Sequence, residues 1–379
     1  MRGSRSMLVA AFAALAVLAS ASGGAASVTV QSETGPLRLT EVAVGLEHPW
    51  SLAFLPDGRM LVTERDGRLR VVSAKGELSR PLSGVPKVHA VGQGGLLDVA
   101  LSPDYARDRS IFLSFAQPTD GGARTAVARA RLDVDALKLD DVKVIFAQRD
   151  ESSGGAHFGS RLVFAPDGNL FVTLGDRYNH RDRAQDLGSH LGKVVRITPD
   201  GSVPPDNPFA ARPGALPEIW TYGHRNVQGA ALNPATGVLW THEHGPQGGD
   251  EVNISKPGGN YGWPVITYGR EYVTGFRIGE GTARADVQAP VKQWTPSIAP
   301  SGMTFYTGDA FPHWKGNLFV GALKYQMLVR LVLDGDKVVR EERLLADQGK
   351  RIRDVRQGPD GRLWLLDETD GRILRLDPQ

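Results

Sequence analysis

The 379-residue chain contains 45 Gly, 24 Pro and no Cys, with 41% hydrophobic and 23% charged residues. The lack of cysteine excludes disulfides, thiol chemistry and Cys-ligated zinc or iron–sulfur sites, and apolar residues recurring along the whole length argue against disorder. Lys plus Arg number 44 against 42 Asp plus Glu, too even a balance to draw in nucleic acid or anionic lipid.

At the start, Arg2 and Arg5 precede an apolar stretch over residues 7–18, and small residues follow up to Ser27. This order is that of a secretory signal peptide. Its roughly 12 apolar residues fall short of the ~20 that a membrane span requires. We therefore expect residues 1–27 to be cleaved and residues 28–379 to form a single domain, periplasmic or secreted, without stable membrane insertion. Losing Arg2 and Arg5 leaves 42 basic residues, which equals the acidic count.

Beyond the leader one unit recurs: an apolar run, a Pro-Asp-Gly-like turn, then a second apolar run. Copies fall at residues 51–64, 98–115, 161–174, 229–241, 302–320 and 355–366, with turn prolines at 56, 103, 166, 234, 312 and 359. Runs of four to six Val, Leu, Phe and Thr residues bounded by Pro, Asp and Gly predict strands in hairpins. Six such units without long amphipathic helices predict an all-β fold, a six-bladed β-propeller of four-stranded antiparallel blades, in preference to two stacked β-sandwiches. Residues 37–44 are expected to complete the last blade, because a ring must close to hide its edges. The surplus residues at 175–230 and 245–300 belong in loops, where sites are built.

Polar clusters interrupt this pattern in every part of the chain. Gln93 lies among glycines 92, 94 and 95. His157 follows Gly154 and Gly155, and Asp176 lies one hairpin later, so the two meet at one blade end. A carboxylate there orients the imidazole as a base. Arg225 and Asn226 offer adjacent donors suited to an anionic or quinone oxygen. The loop around Gly245, Pro246, Asp250 and Glu251 offers carbonyls and carboxylates, which are hard-cation ligands. His242 and His244, two apart with no third ligand, make a poor zinc site. Lys324, Arg351 and Arg353 are three cations that would repel one another unless a polyanion lies between them. Neither a Gly-x-Gly-x-x-Gly nor a Walker loop accompanies them.

Taken in order, these segments resemble the soluble pyrroloquinoline quinone (PQQ)-dependent sugar dehydrogenases, in particular the aldose sugar dehydrogenase branch. The resemblance implies PQQ over the central channel and Ca²⁺ on the carbonyls of Gly245 and Pro246. It implies His157 as general base for oxidation of aldoses to lactones, with Asp176 as its orienting partner and Arg225 as the charge stabiliser. Gln93, Asn226 and Tyr272 are implied cofactor contacts, and Lys324, Arg351 and Arg353 the partners of its carboxylates. Glu251 and the Tyr261 carbonyl correspond to a second calcium site. The chain departs from the glucose dehydrogenase branch at Ala156, where that branch has Asp, and it lacks that branch's later insertions. A more open sugar site and a monomer are the expectation, with electrons leaving to a cytochrome or quinone. The alternatives are a calcium-dependent lactonase propeller and a non-catalytic glycan- or protein-binding propeller.

Overall fold

A computed structural model describes residues 26–379. Nearly all of the expected leader lies outside the described residues, and Ser27 already opens the first strand. Strands β1 (Ser27–Ser32) and β2 (Gly35–Ala43) precede blade one, β3 (Pro49–Phe54), β4 (Met60–Glu64) and β5 (Arg68–Val72). Blade two holds β6 (Leu96–Leu101), β7 (Ser110–Thr119), β8 (Gly122–Asp133) and β9 (Lys138–Ala147). Blade three is β10 (Leu162–Phe164), β11 (Leu170–Thr173), β12 (Lys193–Ile197) and β13 (Ile219–Tyr222). Blade four is β14 (Val227–Leu232), β15 (Leu239–Glu243), β16 (Asp250–Ile254) and β17 (Lys292–Trp294). Blade five is β18 (Pro300–Phe305), β19 (Leu318–Ala322), β20 (Met327–Asp334) and β21 (Lys337–Leu344), and blade six begins with β22 (Ile352–Gln357), β23 (Leu363–Asp367) and β24 (Arg372–Pro378).

The recurring hairpin is the first strand pair of every blade. In three of them the Pro-Asp-Gly turn is built alike. Asp57, Asp167 and Asp360 each accept the backbone N–H two residues on, at 2.9–3.1 Å. The following glycines, Gly58 at φ 86° and Gly168 at φ 83°, adopt the left-handed conformation that lets the strands turn back. The inner strands are buried on both faces, which is why β4, β11 and β19 open on continuous rather than alternating apolar residues. An outer strand such as β21 alternates.

Six hydrophobic wedges lie between neighbouring blades. Leu61 and Leu69 of blade one meet Leu113 and Phe115 of blade two. The last wedge joins Leu366 and Ile373 of blade six to Leu52 and Val62 of blade one, so the ring is closed. Closure is also made by backbone: β2 pairs with β24, and β1 pairs with β2, giving blade six five strands in the order β1-β2-β24-β23-β22. Residues 37–44 were expected there; the extra outer strand β1 was not. Blade one has three regular strands. Its fourth position is taken by an irregular stretch in which Ser79 and Leu82 donate to Val71 and Leu69 at 2.8 and 2.9 Å. Pro81, which has no N–H, keeps it from forming a ladder.

The hub is polar. Asp98 accepts Ser51 Oγ at 2.5 Å, Leu162 N at 2.7 Å, Arg356 at 3.0 Å and Arg161 at 3.2 Å. Arg161 also reaches Asp354 at 3.2 Å and lies 4.4 Å from the Trp50 ring centroid. Blades one, two, three and six are thereby tied by two buried carboxylates and two guanidiniums.

Candidate active site

At one end of the ring each first strand begins and each second strand ends, so residues just outside these strands gather from all blades. A cavity of about 480 Å³ opens there, lined by Trp50, Arg65, Gln93, Gln228, His244, Lys324, Arg351, Arg353 and Glu368 among others.

His157 stands beside it. Gln93 lines the cavity, accepts the His157 N–H with its side-chain oxygen at 2.8 Å, and donates its own N–H to Gly155 at 2.7 Å. His157 is held at φ 54°, an unfavourable region for a residue with a Cβ. Two close approaches make this possible. A Cβ on Gly175 would lie 2.2 Å from the His157 carbonyl, and one on Gly92 would lie 2.4 Å from the Gly155 carbonyl. Side chains at either position would push His157 away.

The imidazole Nδ1 is 2.6 Å from Asp176 Oδ1. That oxygen also accepts Tyr178 N at 2.8 Å, and Oδ2 accepts the Trp263 indole N–H at 2.8 Å. All three partners of the carboxylate are donors, which fixes the His157 proton on Nδ1. Nε2 has no hydrogen-bond partner among the described residues. Burial pushes the His157 pKa down and outweighs the upward pull of Asp176, and Arg225 adds to the depression. For Asp176 the upward push of burial is exceeded by its His157 bond and its other donors, so it stays below the usual carboxylate range. The ring is therefore a neutral base with a free nitrogen.

Lys324, Arg351 and Arg353, from blades five and six, all line the cavity, as expected of three cations facing one channel. Arg65 from blade one joins them. A single acid, Glu368, pairs with Arg353 at 2.9 Å and Arg351 at 3.3 Å. Four cations against one carboxylate leave the cavity strongly positive. Buried Arg353 Nε and Asn226 Nδ2 have no hydrogen-bond partner among the described residues.

Arg225 lies between this cavity and the Gly245 loop. Its Nη1 donates to the Gly245 carbonyl at 2.7 Å and the His244 carbonyl at 3.2 Å. Its Nη2 is 3.4 Å from the hydroxyl of Tyr272, which is half-exposed at the rim. Asn226 is buried, with Oδ1 accepting Gly159 N at 3.1 Å. Asp250 is a loop clamp: it accepts Gly245 N at 2.9 Å and Ser297 Oγ at 2.5 Å, with Ile298 N and Ala299 N at 2.8 Å.

Behind Arg225 a second cavity, of about 10 Å³, is lined by Glu243, Gly245, Gly249, Glu251, Tyr261 and Thr267 among others. Glu243 and Glu251 face each other across β15 and β16. Burial and the neighbouring Glu243 charge push the Glu251 carboxyl well up. Two opposed, buried carboxylates beside a void the size of one ion invite a cation. Among the described residues no three His, Asp or Glu side chains converge as a metal cluster, so an ion here would rely on carbonyls as well.

The expected residues thus separate into three adjoining places. Gln93, Lys324, Arg351 and Arg353 share the large cavity, with His157 and Asp176 beside it. Arg225, Pro246 and Tyr272 line an outer rim cavity of about 190 Å³. Glu251 and Tyr261 sit behind Arg225. Sequence reasoning missed Trp50, Arg65, Gln228, His244 and Glu368. Aligning the hairpins would have found most of them, since Arg65, Asp176, His244, Lys324 and Glu368 all follow the second strand of their blades.

Known proteins share this fold along nearly the whole chain. Residues 46–375 match the glucose/sorbosone dehydrogenase family. The chain is 51% identical over 339 residues to the aldose sugar dehydrogenase YliI of Escherichia coli K12, covering 88% of this chain and 91% of that protein. It is 28% identical over 414 residues to quinoprotein glucose dehydrogenase B of Acinetobacter calcoaceticus, covering 88% and 85%. The solved PQQ-bound aldose sugar dehydrogenase of Streptomyces coelicolor superimposes with a TM-score of 0.73 at 32% identity, over 93% of this chain and 99% of that one. The match spans all six blades and every residue of the mouth named above. This chain belongs to the glucose/sorbosone dehydrogenase family.

Proposed function

We propose that the protein oxidises aldoses at the anomeric carbon to lactones, using PQQ and Ca²⁺. The observation that carries this reading is a neutral His157, its Nδ1 held by Asp176 and its Nε2 free, beside a cavity bearing four cations and one acid.

The residues present fit both groups. A flat molecule with three carboxylates would satisfy Arg65, Lys324, Arg351 and Arg353, and about 480 Å³ is an ordinary size for a small-ligand cleft. A calcium ion suits the Gly245 and Pro246 carbonyls, and a second suits Glu251 with the Tyr261 carbonyl, where it would relieve the Glu243–Glu251 opposition. When bound, PQQ supplies the carbon that accepts hydride, and Ca²⁺ polarises its carbonyl.

The protein's own part is proton handling and positioning. His157 Nε2 takes the proton of the anomeric hydroxyl as hydride leaves the anomeric carbon, and the lactone carbonyl forms from that C–O bond. Asp176 stabilises the resulting imidazolium and keeps the ring from turning. Arg225, already bonded to the Gly245 loop, places positive charge where negative charge develops, a contribution of a few kcal/mol in comparable sites. Gln93 locks the His157 backbone and faces the same cavity. Tyr272 and Pro246 bound the rim through which a sugar enters. Export across the inner membrane, a monomeric state and electron delivery to a cytochrome or quinone complete the reading.

The test is reconstitution of the purified chain with PQQ and Ca²⁺, following dye reduction by several aldoses. His157→Ala is expected to abolish turnover while PQQ still binds, and Arg351→Ala to weaken PQQ binding. Lactone hydrolysis without PQQ, or sugar binding without dye reduction, would overturn the proposal.

A further inference from the structure

One buried side chain touches both halves of the proton-handling machinery and belongs to neither. Trp263 lies in the long loop between β16 and β17 and is 6% exposed. Its indole N–H donates to Asp176 Oδ2 at 2.8 Å. The Arg225 guanidinium carbon lies 5.5 Å from its ring centroid. Trp263 lines both the ion-sized cavity and the rim cavity.

Its own position is held from two directions. The backbone N–H donates to Gly223 O at 2.9 Å, and the carbonyl accepts Gln185 Nε2 at 2.9 Å. Gln185 and Asn260 exchange two bonds at 2.9 Å each. The indole therefore rests on a rigid frame joining blade three to the blade-four loop. A lone carboxylate beside an imidazole can rotate and offer either oxygen. With Oδ2 pinned by an N–H that cannot move, Oδ1 has no choice but the imidazole and Tyr178 N. The same ring face supports the guanidinium in a water-poor site, where an aromatic under a cation is worth more than at the surface.

We propose that Trp263 is a positioning residue for the reaction. Its N–H holds Asp176 so that one oxygen stays on His157, and its ring holds Arg225 on the same side of the site. The inference rests on the dehydrogenase reading only for its kinetic consequence; the geometric claim stands without it.

The electrostatic consequence has a definite sign. Donation to Oδ2 draws charge away from Oδ1. Removing the donor concentrates charge on Oδ1 and strengthens its hold on protonated His157. The charged and titratable groups facing that ring are Asp176, Arg225, Arg177, Tyr178 and His244, and only Asp176 hydrogen-bonds to Trp263 among them.

The experiment is a titration of ¹⁵N-histidine-labelled full-length protein followed by NMR, with His157 assigned through His157→Gln. Trp263→Phe keeps the ring and removes the donor. It is expected to raise the His157 pKa by about one pH unit, and in an Asp176→Asn background the same change is expected to move it far less. In the reconstituted enzyme kcat should fall several-fold, with KM for sugar nearly unchanged and the acid limb displaced upward. In the unmodified chain the Trp263 indole proton should shift with the His157 titration, a readout that needs no variant to fold. An unmoved His157 pKa in Trp263→Phe, equal shifts in both backgrounds, or an indole proton indifferent to His157 would each overturn the proposal. Loss of sugar oxidation in the unmodified protein, with the NMR coupling intact, would instead count against the dehydrogenase reading alone.

Discussion

Asp176→Asn is the most informative single substitution, because its effect can be worked out from donors and acceptors. The carboxylate meets three donors: His157 Nδ1 and Tyr178 N on one oxygen, Trp263 Nε1 on the other. An amide offers one oxygen and one NH₂. If the oxygen faces His157 and Tyr178, the NH₂ meets the Trp263 N–H, donor against donor. If it is turned round, Trp263 is satisfied, but Tyr178 N loses its partner and the NH₂ drives the His157 proton to Nε2, which then cannot act as a base. Each orientation leaves at least one buried donor unmet, at a cost of about 1–3 kcal/mol, equivalent to a melting temperature lower by about 1–4 °C for a domain of this size. Both also remove the charge that stabilises the imidazolium, so kcat/KM should fall by about 10²–10⁴-fold. Dye-linked turnover with saturating PQQ and Ca²⁺, together with calorimetric PQQ binding, separates the two effects: binding should stay within a few-fold of the unmodified protein. A variant that keeps kcat/KM within threefold would show that the His157–Asp176 pair is structural.

Four further outcomes are expected. His157, His242 and His244 are buried and neutral, each pushed down by burial, His244 to about 3. The unfolded chain takes up protons near its ordinary histidine value of about 6.5 while these sites do not. Their share of stability is therefore full above that pH and is lost as pH falls below it, the His244 share down to about 3; a urea midpoint that does not fall between about pH 7 and pH 4.5 would contradict this. By the same depression, the acid limb of kcat/KM should lie below about pH 6.5. Ca²⁺ at a hundredfold excess over its Kd should stabilise the protein by about 2.7 kcal/mol per site. Glu251→Gln should lose one such increment yet be at least as stable without metal, and differential scanning calorimetry with and without Ca²⁺ checks both. At the hub, Asp98→Asn leaves Arg161 and Arg356 sharing Asp354, which should cost about 3–5 kcal/mol, or about 4–7 °C, with PQQ affinity unchanged.

The sequence announced the blades through their turns. Each Pro-Asp-Gly or its variant marks a first hairpin through its proline; a left-handed glycine alone does not, since Gly67, Gly335 and Gly371 turn later hairpins in the same way. Third and fourth strands carry no such mark, and β1, an outer strand with mixed burial, could not be told from a linker. Of the site, His157, Asp176 and Arg225 were legible because polar residues crowd among glycines where a strand should begin. Arg65 and Glu368 were not, because each, read alone, is indistinguishable from an ordinary turn residue; only their shared place after the second strand, alongside Asp176, His244 and Lys324, sets them apart. Trp263 was hidden for a different reason: its partner, Asp176, is 87 residues away in the chain.

The placement of β2 between β1 and β24 bears on how the molecule is made. β2 precedes all of blade one, whereas its partner β24 follows the strands of every other blade, so the toroid cannot seal on a growing chain until β24 has been made. Every residue of the mouth named above precedes Arg372, where β24 starts. A product stopped just short of that point would carry the complete chemistry and two open edges, prey to proteases and to other unfinished chains. Assembly of the working mouth is in this way made conditional on completion of β24.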